Sequence, residues 1–310
     1  MGWPWFIQNL WQATSDDGLA LFMYGPNRVE AMVGADGHRI AVECDTAYPF
    51  TGEVRLTVHT IAGAESTCRF PLYLRVPEWS SAFTARANGR PVDVDAPPEA
   101  YLRLEREWVE GDVMEIVMGM AIGVQRWPRN GSASVRRGPL WYSAKISEAW
   151  RTHPDLGRDT YAQTDEAWPN LEVLLSSQWN YGLLLPGGGD ELEETFEVRE
   201  KPQTAANPWT VDGATIEISA KARRIPNWQL QNDCFVGELQ TSPVKSDQPD
   251  ETITLIPLGA ASLRICCFPV IGDQPHAHEW EAQPDSVDPR SMPVNRFEQE
   301  NAAPAARSDD

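Results

Sequence analysis

Long apolar runs and positive charge are both scarce in this chain of 310 residues. No run of apolar residues reaches the roughly 18 positions that a membrane-spanning helix requires. The 26 Lys and Arg residues face 45 Asp and Glu residues, which gives a formal net charge of −19. Nucleic acids and anionic membranes are bound by surplus positive charge, so neither is the expected partner. The opening residues lack the features of a secretory signal, which predicts a cytoplasmic protein.

Cysteine and histidine are also few, and their spacing matches no common reactive motif. The chain has five cysteines, an odd number that does not suggest a disulfide framework, so we expect reduced thiols. The adjacent Cys266 and Cys267 lie in a strand-like run, where one should point inward and one outward. His276, His278 and Glu279 carry zinc or copper ligand types, but they lie in a predicted tail that lacks a rigid surround. We therefore expect no metal site.

Helical periodicity is confined mainly to the first dozen residues, and most of the remaining chain alternates with period two. Val54, Leu56 and Val58 alternate with polar residues, which predicts a half-buried strand. Asn88-Gly89 is typical of a tight hairpin turn, because that turn needs positive φ at both central residues. The fold class predicted is mainly β, with two antiparallel β-sandwich domains and a short N-terminal helix.

Composition divides the chain into four predicted segments. The first domain boundary is placed near Pro128, where the series of strands pauses before Asn130-Gly131. The last segment is rich in Pro, Asp, Glu, Ala and Ser and has few large aliphatic residues, which predicts disorder. The predicted segments are a helix over 1–12, a β-sandwich over 13–126, a second β-sandwich over 127–270 and a disordered tail over 271–310.

Tryptophan is unusually frequent, with 13 residues, and the N-terminal helix carries several of the large aromatic side chains. Such a helix has no evident partner within the first sandwich, so it would expose an apolar patch unless another domain covered it. We therefore predict that these aromatic residues dock a partner. The predicted docking residues are Trp3, Trp5, Phe6 and Trp11.

A second set of tryptophans lies in and around the loops of the second predicted sandwich. Such rings could stack on the C–H faces of sugars, or they could pack between domains, and packing is the interpretation that aromatic burial favours. Glu148 and Glu172 lie near strand ends, but no perturbed environment is visible that would make either a catalytic acid. The candidate carbohydrate-contact residues are Trp127, Trp141, Trp150, Trp168 and Trp179.

Several stretches, taken in order, resemble the C-terminal part of glycoside hydrolase family 127, the β-L-arabinofuranosidase-like proteins. The resemblance runs almost continuously from residue 2 to residue 270. The matching stretches are GWPWFIQNLWQATSDDGLALFMYGPNRV (2–29), YPFTGEVRLTV (48–58), FPLYLRVPEW (70–79), SVRRGPLWYSAKISEAW (134–150), KARRIPNW (221–228) and ETITLIPLGAASLRICCFPV (251–270).

The resemblance implies an (α/α)6 barrel before these stretches, with an acid/base Glu and a zinc-bound Cys nucleophile inside it. Adjacent cysteines of that zinc site lie shortly before the G-W-P motif in the family. Here Met1 directly precedes Gly2-Trp3-Pro4, so no position matches the nucleophile, the zinc ligands or the acid/base. We therefore expect no catalytic residue, no zinc and no other cofactor in this chain.

The function that the resemblance implies is a non-catalytic β-sandwich part of such a hydrolase, from a truncated or split gene. Its expected partner in carbohydrate degradation is a catalytic barrel that is encoded separately or missing, and self-association through the helix is a further expectation. The alternative is a protein that binds carbohydrate or hydrolyses glycosides by itself.

Overall fold

Strands dominate the structure, a computed structural model that describes residues 2–60, 67–152, 171–186, 195–231 and 235–283. Strands hold 50% of the chain and helices 4%, which confirms the mainly β, sandwich-type fold predicted from the alternation. The chain divides into two compact units. The first unit contains residues 1–123 and 136–140, and the second contains residues 124–135 and 141–310.

The chain passes between the two units three times, whereas the sequence placed one boundary between residues 126 and 127. The short return to the first unit is the turn around Gly138. In this turn the Arg137 guanidinium donates a hydrogen bond to the carbonyl of Phe50 at 3.2 Å. Arg137 and Phe50 are 87 residues apart, so the composition around residue 127 could not reveal this return to the first unit.

The N-terminal helix, α1, spans Gly2–Gln8 and is shorter than predicted. Trp11 begins a strand instead, because its backbone pairs antiparallel with Leu21 and its ring is buried. The indole N–H of Trp11 donates to Asn27 Oδ1 at 2.7 Å. Strand pairing and burial therefore outweigh the helical spacing at this position, and Trp11 is a core residue and not part of an exposed helix face.

The first unit contains a four-stranded sheet in the order β1-β2-β6-β9 and a six-stranded sheet in the order β3-β4-β5-β10-β7-β8. Neighbouring strands are antiparallel except β2 and β6, which are parallel. The strands are β1 Trp11–Ala13, β2 Leu19–Leu21, β3 Asn27–Val33, β4 His38–Thr46, β5 Glu53–Thr60, β6 Thr67–Arg75, β7 Phe83–Ala87, β8 Arg90–Val92, β9 Tyr101–Val109 and β10 Val113–Met118.

The core of the first unit is formed by the inward faces of both sheets. Val54, Leu56 and Val58 are all buried, as the period-two pattern predicted. Phe70 of β6 stacks on Trp108 of β9 with ring centroids 5.6 Å apart. The Trp108 indole N–H donates to the Phe70 carbonyl at 3.0 Å, so this large ring is buried with its polar atom satisfied.

The Asn88-Gly89 turn joins β7 to β8, and both residues have positive φ, of 49° and 75°. The Asn88 side chain also reaches the neighbouring strand. Its amide donates to Asp112 Oδ1 at 2.7 Å, and its carbonyl accepts the Val113 N–H at 2.9 Å. The predicted hairpin turn is confirmed, and the Asn side chain ties it to β10.

Charges of alternating sign cross the outward face of the six-stranded sheet. Asp45, Arg55, Glu115 and Arg86 occupy paired positions on the adjacent strands β4, β5, β10 and β7. Arg55 Nη1 lies 2.9 Å from Glu115 Oε1. A slip of one residue would turn these charges into the core, so this row favours the observed register.

The second unit is built on a ten-stranded sheet in the order β11-β12-β13-β22-β18-β16-β23-β21-β24, with β17 also pairing with β18. The two remaining hairpins are β14-β15 and β19-β20. The elements are β11 Ile122–Arg126, β12 Ala133–Arg137, β13 Leu140–Ala144, β14 Glu148–Thr152, β15 Leu171–Leu175, β16 Tyr181–Leu184, β17 Phe196–Glu200, β18 Ile216–Arg224, β19 Leu230–Gln231, β20 Phe235–Val236, β21 Val244–Lys245, β22 Asp250–Pro257, a 3-10 turn Leu258–Ala260, β23 Val270–Ile271 and β24 His278–Glu279.

Three buried tryptophans pack together in the second unit. The ring centroids of Trp179 and Trp228 are 5.0 Å apart, and those of Trp228 and Trp280 are 5.2 Å apart. Trp280 lies in the segment that the sequence predicted to be a disordered tail. The structure instead continues through β23 and β24 to residue 283, because Trp280 is buried against a ring that is distant in sequence. Residues 284–310 lie outside the described residues.

The adjacent cysteines differ from the prediction as well. Cys266 and Cys267 are both half-buried, and the segment around them is not a strand. The backbone nearby bonds irregularly, since Ile265 N–H donates to the Ser143 hydroxyl at 3.0 Å. Strict alternation therefore does not apply, and burial raises the pKa of the Cys266 thiol.

We expect substitution of Gly52 by Ala to destabilise the first unit. A Cβ at residue 52 would overlap the carbonyl oxygen of Met118, whose N–H donates to the Gly52 carbonyl at 2.9 Å. Forced shifts of this kind cost about 1–3 kcal/mol. Gly25 is the matched control, because a Cβ there meets nothing within 4 Å. Urea unfolding of Gly52→Ala and Gly25→Ala measures the difference, and equal free energies of unfolding would contradict this packing.

Candidate functional site

Helix α1 presents apolar side chains to solvent. Trp5 is 71% exposed and Ile7 is 61% exposed, and Phe6 is exposed as well. Trp3 lies in the helix, but its side chain is outside the described residues. The Asn9 side-chain amide donates to the Trp5 carbonyl at 2.7 Å and so satisfies a carbonyl near the end of the helix. Three of the four predicted docking residues are therefore on α1, and Trp11 is not.

The candidate carbohydrate-contact tryptophans differ in their surroundings. Trp127 and Trp141 are exposed, and the Trp127 indole N–H donates to the Ser134 hydroxyl at 2.8 Å. Trp179 is buried against Trp228 and presents little ring surface to a ligand. Trp168 lies outside the described residues. Among the four described members of this set, Trp150 is the one that lines a polar cleft together with a second exposed tryptophan.

That cleft, which we call the Trp150–Trp209 cleft, has a volume of about 490 Å³ and lies in the second unit. Trp150 comes from β14, and Trp209 comes from the loop before β18. Lys145, Glu148 and Asp212 also line it, so charges of both signs lie beside two aromatic rings. The arrangement can offer both hydrogen-bond donors and acceptors to a ligand that lies against a ring face.

The Glu148 carboxylate accepts three hydrogen bonds that hold parts of the cleft together. Its Oε1 accepts the backbone N–H groups of Ser262 at 2.7 Å and Leu263 at 3.3 Å. Its Oε2 accepts the indole N–H of Trp150 at 3.0 Å. The carboxylate therefore links β14 to the segment after the 3-10 turn and fixes one edge of the Trp150 ring. Such a carboxylate is an anchor, and it has few lone pairs left for catalysis.

Trp209 was missed by sequence reasoning. Its backbone N–H donates to Asn207 Oδ1 at 2.9 Å, which makes a local turn, and Thr210 Oγ1 accepts the Gly213 N–H at 3.0 Å. The ring lies against the 3-10 turn, because a Cβ at Gly259 would come within 3.0 Å of it. The only sequence signal was a tryptophan placed among turn-forming residues, which indicates a surface loop but gives no neighbour.

Lys145 is held at the cleft by a buried acid. Both Lys145 Nζ and Lys201 Nζ lie 2.9 Å from Glu217 Oε1. Burial opposes ionisation of Glu217, but the hydrogen bonds from the two ammonium groups outweigh it and lower the pKa of this carboxyl. The result is an ionised acid below the cleft that orients one cation on its wall.

A second polar cluster lies on the first unit. The hydrogen bond from the Thr14 hydroxyl and a bond of 2.6 Å from the Tyr73 hydroxyl lower the pKa of Asp16 to about 2. Arg103 contacts Asp16 at 3.1 Å and Glu105 at 2.9 Å, and the pKa of Glu105 is also lowered, by Arg69 and Arg103. A glycosidase acid needs a raised pKa, so these carboxylates are unsuited to that role.

The His276–Glu279 motif is not arranged as a metal site. His278 Nε2 lies 2.6 Å from the Thr241 carbonyl and Nδ1 lies 2.9 Å from the Glu279 carbonyl. Both ring nitrogens thus face backbone oxygens. Across the part of the chain that the structure describes, no group of three or more His, Cys, Asp or Glu residues could hold a metal ion. Within the same residues, no helix is long and apolar enough to cross a membrane.

Comparison with known proteins supports the resemblance seen in the sequence. Residues 18–120 match the family model described as the middle domain of GH127 β-L-arabinofuranosidase. No curated protein matches the chain. The match to the middle domain lies within the first unit and confirms the resemblance to glycoside hydrolase family 127.

Solved structures similar to the chain include three glycoside hydrolases. A GH127 β-L-arabinofuranosidase from Geobacillus stearothermophilus T6 is 22% identical, with a TM-score of 0.51, and the match covers 82% of this chain and 33% of that one. A GH127 β-arabinofuranosidase is 21% identical, with a TM-score of 0.52 and coverages of 83% and 35%. A protein described as a glycoside hydrolase is 22% identical, with a TM-score of 0.52 and coverages of 84% and 37%. The chain thus shares their fold and spans about a third of their length.

We expect Glu217 to make stability depend on pH in the acid range. Its pKa is lower in the folded state, so ionised Glu217 stabilises the fold above its ordinary pKa, and this contribution is lost as the pH falls through the folded value. Glu217→Gln should lower the free energy of unfolding near neutral pH by about 1–3 kcal/mol. The two proteins should converge as the pH falls through the lowered pKa of Glu217.

Urea unfolding between pH 3 and pH 7 measures this dependence. The control is Glu53→Gln, which changes an exposed acid at the start of β5 and should shift stability little at any pH. A constant difference between Glu217→Gln and the unmodified protein across this pH range would show that the ion pairs with Lys145 and Lys201 do not stabilise the fold.

Proposed function

We propose that this chain supplies the non-catalytic β-sandwich part of a GH127-like glycoside hydrolase and holds a catalytic barrel during carbohydrate degradation. The observation that carries the proposal is the match of residues 18–120 to the GH127 middle domain. The fold likeness supports it, because more than four fifths of the chain matches only about a third of each solved enzyme. The part of those enzymes that this chain does not match is long enough to contain a catalytic domain.

Helix α1 is the proposed contact with the barrel. Its exposed Trp5, Phe6 and Ile7 form an apolar surface at one end of the first unit's chain. The resemblance implies that this segment is the last helix of the barrel, whose apolar face would pack on the other barrel helices. Seven residues are too few for a helix to be stable by itself in water, so packing on a partner would stabilise α1.

The environments of the described acidic residues are consistent with a non-catalytic role for this chain. The carboxylates with shifted pKa values, Asp16, Glu105 and Glu217, are all shifted downward in the described residues. Glu148 is held by three N–H donors. Glu172 pairs with Arg151 across β14 and β15 at 2.6 Å. A glycosidase acid should instead lie in an environment that favours its neutral form.

We expect the 310-residue polypeptide to leave aryl β-L-arabinofuranosides unhydrolysed, with or without added zinc. The reason is that none of its positions matches the nucleophile or the acid/base that the resemblance implies. Release of 4-nitrophenol from 4-nitrophenyl β-L-arabinofuranoside measures the activity. Hydrolysis above the buffer blank that is abolished by substituting one of its own carboxylates would contradict the proposed function.

An (α/α)6 barrel of the kind that the resemblance implies should bind the chain through α1. Co-purification of the two parts measures binding. We expect Trp5→Ser with Ile7→Ser to abolish it, because the apolar surface is lost. Met32→Ser is the control, since Met32 is equally exposed but lies on β3.

Two results would overturn this docking proposal. One is failure of such a barrel to co-purify with the unmodified chain. The other is self-association of the chain through Trp5 and Ile7, detected by sedimentation velocity, which would make a second copy of the chain the occupant of the α1 surface.

A further inference from the structure

We propose that the Trp150–Trp209 cleft binds a neutral carbohydrate. The inference goes beyond the proposed supporting role, because the cleft lies wholly within the second unit and needs neither α1 nor a barrel. The volume of about 490 Å³ falls in the range of about 300–1,000 Å³ that is usual for small-ligand sites.

The two rings provide apolar surface beside polar groups. Trp150 is 54% exposed and Trp209 is 38% exposed. A single exposed ring is common on protein surfaces, but two exposed rings that line one cleft form a larger apolar area than one ring alone. The C–H face of a sugar ring can lie flat against an indole ring, while the hydroxyl groups of the sugar stay at the edge of the contact. The cleft therefore matches the two-sided character of a sugar.

The rings are held in place before any ligand arrives. The Trp150 indole N–H is bonded to Glu148, which is itself bonded to two backbone N–H groups. Trp209 is held by the Asn207 turn and by close packing over Gly259. A prearranged pair of rings loses little conformational entropy on binding, so modest contacts are enough for measurable affinity.

The carboxylates on the cleft disfavour an anionic ligand. Asp212 and Glu148 would repel an acidic sugar such as a uronic acid, whereas a neutral sugar meets no such repulsion. Sugar hydroxyls can donate to Asp212 and accept from Lys145, so a neutral sugar can use both groups. A quaternary ammonium ligand is the competing class, because exposed indoles and carboxylates both attract cations, and choline is the probe that tests it.

The other exposed rings do not meet these conditions. Trp127 and Trp141 are exposed, but neither of them lines this cleft. The apolar cavity beside Trp179 is lined mainly by aliphatic residues and has few groups that could bond hydroxyls. In the Trp150–Trp209 cleft, by contrast, two exposed rings, two carboxylate acceptors and one ammonium donor line the same surface.

Isothermal titration of the 310-residue chain with neutral disaccharides tests the proposal. The probes are cellobiose, xylobiose, maltose and α-1,5-arabinobiose, with digalacturonic acid and choline as charged probes. We expect at least one neutral disaccharide to bind with a Kd of about 1 mM or lower. Trp150→Ala and Trp209→Ala should each weaken that binding at least about tenfold, and Asp212→Asn should weaken it by a smaller factor.

Trp141→Ala is the matched control, because it removes an exposed tryptophan elsewhere in the second unit and should leave Kd unchanged. Circular dichroism and thermal unfolding check that each variant is folded. Trp150→Ala and Asp212→Asn change exposed side chains, so they keep the test decisive if Trp209→Ala does not fold.

Three results would overturn the proposal: no binding of any neutral disaccharide at millimolar concentration, an equal loss in Trp141→Ala, or tighter binding of digalacturonic acid or choline. Each of these would leave the docking of α1 and the lack of hydrolysis as they stand, so failure here is distinguishable from failure of the proposed function.

Discussion

The burial of every second side chain between paired strands is the constraint on which the rest of the structure depends. In the first unit Val54 and Leu56 belong to the same buried core as the stacked rings of Phe70 and Trp108. The Trp108 indole N–H bonds to a backbone carbonyl, so that the ring is buried with its polar atom satisfied. The second unit buries Trp228 in the same way, with its N–H bonded to the Gly237 carbonyl. Register, layer order and the polar outer faces all follow from this one requirement.

The departures from that rule are where function is expected. On α1 and on the Trp150–Trp209 cleft, aromatic rings remain in water even though both units have cores that could bury rings. The two places differ in the contacts that hold their aromatic rings. Glu148 and Gly259 hold the cleft rings in a polar setting, whereas α1 is a short helix with a plain apolar surface. A prearranged polar cleft suits a small ligand, and an apolar helix surface suits a protein partner.

Particular residues show how far local reasoning extends. The Asn88-Gly89 turn was predictable because positive φ at both residues is a property of the two residues themselves. Trp11 and Trp280 were assigned wrongly, to a helix face and to a disordered tail. Trp11 pairs with Leu21 in a sheet and Trp280 packs on Trp228, and the residues adjacent to each tryptophan do not reveal these contacts. The strand predicted around Cys266 failed for the same reason, since a side-chain hydroxyl of β13 takes up a nearby backbone N–H.

The sequence by itself determined the mainly β class, the strands with strict alternation, the main hairpin turn and the resemblance to a hydrolase family, because each is written in residues that are close together or in a series of short motifs. Tertiary structure alone decided that Trp150 and Trp209 share one cleft, that Glu148 anchors it and that Lys145 lies on Glu217. Glu148 and Trp150 share β14, but Lys145, Trp209 and Glu217 come from other parts of the chain, and only the folded structure brings them to one place.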